Sequence, residues 1–72
     1  YQKKKKLLFS EREKEIIVMI CEEKSSEEIG ATLFMSKRTV DGYRSRILNK
    51  MDVKTMAGVV IYAIKNELYT LK

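Results

Sequence analysis

Between residues 36 and 51, in the stretch SKRTVDGYRSRILNKM, apolar and polar positions repeat with the period of an α-helix. At about 100° per residue, Val40, Tyr43, Ile47 and Met51 fall on one side, where they can face a core. Arg38, Gly42, Ser45 and Asn49 recur on the opposite side as a slim polar crest, with Lys37, Arg46 and Lys50 on its flanks. A helix anchored behind, basic at its edges and small or hydrogen-bonding along its crest suits the major groove of DNA. An ordinary amphipathic surface helix shares the gross pattern, so the neighbouring segments must decide.

Helical spacing continues on both sides of this stretch. Ser10 and Glu13 match the S-x-x-E capping box, in which each side chain satisfies the other residue's orphan backbone N–H. A first helix is expected from about Glu11 to Glu23, burying Ile16, Ile17, Ile20 and Cys21, with Val18 and Met19 at the edges of that face. Ser25 or Ser26 caps a shorter second helix, and Glu27 and Glu28 sit in its first turn, where the macrodipole favours acids. Its inward residues are Ile29 and Leu33, while Gly30 and Ala31 are small enough to admit a neighbouring helix. Leu33, Phe34 and Met35 break the period as a tight apolar turn, and Ser36 caps the third helix. The second and third helices thus form a helix-turn-helix. Asp52 follows Met51 where a left-handed residue can end the helix, although Gly or Asn would do so better. A fourth helix is expected from about Lys54 to Glu67, with Val53, Ala57, Val60, Ile64 and Leu68 inward. Its far side carries Gly58, Val59 and Tyr62 where charge is the rule. That patch reads as a dimer interface or as extra core for a short chain.

The fold class is therefore all-α, a four-helix bundle containing a helix-turn-helix, in one small domain whose core is marginal in size. Residues 7–72 make up the domain, and residues 1–6, with the run Lys3 to Lys6, read as a linker or flexible basic arm. The chain opens on Tyr1 rather than Met, so it reads as a piece of something longer. No apolar run approaches the roughly 20 residues that span a bilayer, and no secretory signal precedes the domain. The single cysteine, Cys21, excludes an internal disulfide and fits a reducing cytoplasm. Without histidine, the usual zinc sites are missing. No cofactor or metal is expected.

Charge adds direction to this picture. The net +5 is divided unevenly, residues 7–30 carrying a net −4 and residues 31–54 a net +4. Such polarity focuses positive potential on the third helix, where a polyanion would dock.

With these elements placed, residues 9–53 closely resemble the LuxR/NarL (GerE-type) DNA-binding domain of bacterial transcription regulators. FSEREKEII is similar to the family's L-T-x-R-E-x-E-V-L. SSEEIGATLFMSKRTVDGYRSRILNKMDV is similar to its S-N-K-E-I-A-x-x-L-x-I-S-x-x-T-V-K-x-H-x-x-x-I-x-x-K-L-x-V. Arg12, Glu13, Glu15, Ser25, Glu28, Ile29, Leu33, Ser36, Thr39, Val40, Ile47, Lys50 and Val53 all match. The resemblance implies a four-helix domain, usually C-terminal to a receiver or ligand-sensing domain, that binds promoter DNA as a dimer through its fourth helix. Three departures stand out. Glu23 replaces a common glycine after the first helix, so that turn must close differently. Tyr43 replaces a common His, and Asp41 and Gly42 fall where the family often carries Lys and Val for base contacts.

The candidate DNA-binding set is Lys37, Arg38, Thr39, Asp41, Gly42, Ser45, Arg46, Asn49, Lys50 and Lys54. Lys37, Arg38, Arg46, Lys50 and Lys54, joined by the Thr39 hydroxyl, are assigned to phosphates, which position a protein without reading sequence. Ser45 and Asn49 can reach bases or phosphates. Asp41 either accepts from a cytosine amino group or pairs along the helix with Lys37, Arg38 or Arg44. Arg44 points nearer the core, where an acid of the first or second helix can pair with it. Gly42 in a helix interior costs about 1 kcal/mol relative to Ala, which either close approach to base edges or tolerated drift explains. The dimer-interface candidates are Gly58, Val59 and Tyr62.

An enzyme is not expected, because no nucleophile has a neighbouring base and no Gly-rich phosphate loop is present. The expected function is sequence-specific DNA binding by the C-terminal effector domain of a two-component response regulator, cytoplasmic and homodimeric. RNA polymerase is a further candidate partner, and no membrane is expected. The rival readings are a sigma-factor region 4-like promoter-binding domain and a protein-interaction module.

Overall fold

A computed structural model describes residues 7–70; the basic run Lys3 to Lys6 lies outside the described residues. Four helices follow in order: α1 (Glu11–Cys21), α2 (Ser26–Leu33), α3 (Lys37–Met51) and α4 (Met56–Lys65). Each starts on a hydroxyl cap. Ser10 and Ser25 form full capping boxes with Glu13 and Glu28. The Ser36 and Thr55 side chains accept from the backbone N–H groups of Thr39 and Gly58. Ser25, not Ser26, is the cap of α2.

The four helix ends share a second device. Glu23, Phe34, Asp52 and Glu67 all have positive φ, between 58° and 66°. Just beyond each, a backbone N–H reaches back five residues: Lys24 to Met19, Met35 to Gly30, Val53 to Leu48 and Leu68 to Ala63. This is the Schellman closure, which glycine usually serves because it has no Cβ to clash. Here no glycine has positive φ. The turn after α1 was expected to close differently without glycine, yet Glu23 takes the left-handed conformation that a glycine would take, at φ 66°.

The core gathers Ile16, Ile17 and Ile20 from α1, Ile29 from α2, Val40, Ile47 and Met51 from α3, and Val59 and Ala63 from α4. Cys21 is only half-buried. Gly30 is small for a reason other than helix packing: a Cβ there would collide with the carbonyl oxygen of Met35, in the turn that enters α3. Its neighbour Ala31 is exposed.

The orientation of α4 corrects the sequence reading. Val59 and Ala63 are fully buried, whereas Ala57, Ile61 and Ile64 are exposed. Val53, Val60 and Leu68 pack against the core as expected, so the correction falls on Ala57 and Ile64, which turn outward, and on Val59, which turns inward. Gly58 faces Val53, whose Cβ would lie 2.9 Å from a Cβ added at the glycine. Tyr62 meets Phe9 edge to face at 6.3 Å between ring centroids. Of the expected interface residues Gly58, Val59 and Tyr62, Val59 lies in the core and has no surface to offer a partner, whereas Gly58 and Tyr62 are half-buried and line an open groove. Apolar residues ring this helix, so their period cannot choose a face; the contacts to Val53 and Phe9 do.

Candidate nucleic-acid interface

Val40, Ile47 and Met51 hold α3 to the core from behind, with Tyr43 half-buried beside them. On the far side, Arg38, Ser45 and Asn49 are exposed, and Gly42 lies between them. The crest read from the helical period is thus brought together on one open face.

One flank of α3 is tied to α2. Ser26, buried at the start of α2, donates its hydroxyl to a carboxylate oxygen of Asp41 and accepts from the Arg44 guanidinium at 3.2 Å. The second Asp41 oxygen accepts from Lys37 Nζ at 3.0 Å. The Ser26 hydroxyl, and then Lys37, hold the Asp41 carboxyl below its ordinary range. Asp41, counted among the DNA-binding candidates, has both oxygens engaged within the protein and acts as a strut between helices. Arg44 also finds its partner on α2, but the partner is a serine rather than an acid.

The other flank is tied to α1. Lys50 Nζ donates to Glu13 Oε1 at 3.1 Å and stands over the Phe9 ring, 4.8 Å from its centroid. Glu13 Oε1 also accepts from the Ser10 amide at 2.8 Å, so a single carboxylate closes the α1 capping box and receives the α3 lysine. Burial alone would raise the Glu13 pKa; the Ser10 amide and Lys50 outweigh it and hold the carboxyl below its ordinary value. Lys50, expected to serve phosphate, shares its charge with Glu13. Lys37 shares its charge with Asp41.

Three of the expected phosphate cations, Arg38, Arg46 and Lys54, have no acidic partner among the described residues. The Arg46 guanidinium lies over the Tyr43 ring at 4.6 Å, which aims it along the helix surface while leaving it exposed. Thr39 is exposed at the start of α3, its hydroxyl accepting from Ser36 at 3.0 Å. Lys54 stands on the loop entering α4. Together these make a helix with both flanks tethered and its outer face open, Arg38 and Arg46 standing on α3 and Lys54 on the loop beyond it.

Ser26, Phe9 and the second role of Glu13 were not foreseen as parts of the site. Ser26 had a local signal, as a second serine at a helix start. The Glu13–Lys50 pair, 37 residues apart, had none. Among the described residues no group of acids, Cys or His is placed to hold a metal ion, and no helix is long and apolar enough to cross a membrane.

The family model for bacterial regulatory proteins of the luxR family matches residues 7–63. The transcriptional regulatory protein LiaR of Bacillus subtilis (strain 168) is 39% identical over 59 residues, covering 82% of this chain and 28% of the relative. The oxygen regulatory protein NreC of Staphylococcus haemolyticus (strain JCSC1435) is 34% identical over 61 residues, covering 85% of this chain and 28% of the relative. The chain thus spans less than a third of the length of these curated relatives.

Proposed function

Because the chain belongs to the luxR family of bacterial regulatory proteins, we propose that it binds promoter DNA with α3 lying in the major groove. In this reading it is the cytoplasmic C-terminal effector domain of a two-component response regulator. Ser45 and Asn49 face base edges, while Arg38, Arg46 and Lys54 neutralise phosphates. Lys37 and Lys50 do so more weakly, because Asp41 and Glu13 already share their charge. A second copy pairs through α4, using the exposed Ala57, Ile61 and Ile64 in place of the buried Val59.

The observation that carries this reading is the contrast between the two sides of α3. A surface helix with no partner needs no bolting on both flanks, and its outer face has no reason to combine hydrogen-bonding groups with uncompensated cations. A helix that must hold register against a duplex needs both.

The test is fluorescence anisotropy with a labelled random-sequence duplex across a salt series. Log affinity is expected to fall linearly with log salt, with a slope near −0.9 for each phosphate neutralised. Substituting Arg38 by Ala is expected to flatten that slope by about one unit. Absence of binding even in dilute buffer overturns the reading.

A further inference from the structure

Each glycine of this chain can be asked why it is a glycine. Gly30 has an internal answer in the carbonyl oxygen of Met35, and Gly58 has one in the side chain of Val53. Gly42 has none. Its φ is not positive, and a Cβ added there would meet only the Arg46 guanidinium, at an ordinary 4.0 Å. The residue weakens the interior of the helix it sits in, and nothing among the described residues requires it. The requirement therefore lies outside the fold, on the face that Gly42 occupies.

That face is the middle of the α3 crest. Gly42 stands one turn from Arg38 on one side and one turn from Ser45 and Arg46 on the other, all three exposed. The missing side chain leaves a notch between longer ones. Its floor is a Cα flanked by backbone amide and carbonyl groups already committed to the helix ladder. Such a floor offers neither donor nor acceptor, so it cannot read a base by hydrogen bonding. It can only accept an apolar group, and its Arg46 wall is held in place over the Tyr43 ring. The apolar group that a base pair projects into the major groove is the thymine C5-methyl.

We propose that Gly42 is a specificity-determining residue, a notch in the recognition helix that receives one thymine methyl group while Ser45 and Asn49 contact the base pairs around it and Arg38 holds a neighbouring phosphate. The proposal rests on the reading that α3 enters the major groove. It assigns sequence preference to the one crest position that has no side chain.

The experiment begins with selection of duplexes from a random library by the wild-type chain. Each thymine of the selected core is then replaced in turn by deoxyuridine, which lacks only the methyl group. Wild type is expected to lose affinity at one such position by about fourfold, the worth of one buried methyl. The variant Gly42→Ala fills the notch with a methyl of its own, without a clash inside the protein. It is expected to melt at a higher temperature than wild type and to reverse the preference, binding the deoxyuridine duplex more tightly than the thymine duplex at that position. Indifference of wild type to every methyl in the selected core overturns the proposal. So does an alanine variant that ranks the two duplexes as wild type does. Both results leave groove binding standing, whereas a wild type that selects no sequence and binds no duplex overturns the proposed function and this inference with it.

Discussion

Glu23 holds the left-handed conformation after α1 with a side chain that gains no hydrogen bond or ion pair among the described residues. For an L-residue that conformation costs about 1–2 kcal/mol, which glycine avoids. Part of the gain is lost because glycine also frees the unfolded chain. Glu23→Gly is therefore expected to stabilise the domain by about 0.5–1 kcal/mol, read as a rise in melting temperature followed by circular dichroism. No rise would mean that the turn is not strained. At this scale the sequence shows which residue stands where but not which backbone conformation it is forced into. Asp52 is an exception, since it follows an unambiguous helix and its residue type tolerates that conformation. Glu23 and Gly30 are legible only once the turns around them close.

For α3, one face is cleanly apolar, so its cap, core face and crest are all legible from the sequence. For α4 they are not, because apolar residues surround it and only contacts to distant Phe9 and Val53 decide which side turns inward. The tethers of α3 were equally hidden, being side-chain meetings between segments far apart in sequence. The Glu13–Lys50 tether has a consequence in pH. The Glu13 carboxyl sits below its ordinary value of 4.5 in the folded chain. A group depressed by folding stabilises the fold above its unfolded pKa, and that contribution is lost as pH falls through the folded pKa. Glu28 and Asp41 are shifted in the same direction, so they add to the effect. The melting temperature is expected to be flat from neutral pH down to about 5 and to fall as the acid range is entered. In Glu13→Gln the plateau is expected to be lower and the acid fall shallower. An unchanged acid profile in that variant would show that Glu13 does not hold α3 in place.

For the whole molecule, the surface left over after the core is built contains two large apolar residues on α4, Ile61 at 56% exposure and Ile64 at 37%. Ile61 lines a groove together with Leu7, Met51, Val53 and Tyr62. Both isoleucines leave apolar surface in water, and covering it would enlarge a core that a chain of this size can barely assemble alone. Pairing two copies through this face would present two copies of α3 to one duplex. Helix-turn-helix dimers bind half-sites spaced by one helical turn, roughly 34–36 Å, or multiples of it. The second α3 would then bind as an intramolecular partner, raising affinity without any new contact to DNA. On this basis, wild type is expected to prefer a duplex carrying two correctly spaced half-sites over one carrying a single half-site, by tenfold or more within the usual range for linked binding. Ile61→Asp places a charge in the proposed seam and removes little from the monomer, because the side chain is already mostly in water. Its melting temperature at low protein concentration is expected to match wild type, and its affinity for the single half-site is expected to change little. The advantage of the paired duplex should disappear. If Ile61→Asp keeps that advantage, the two copies meet through some other surface, and the exposed isoleucines of α4 need a different explanation.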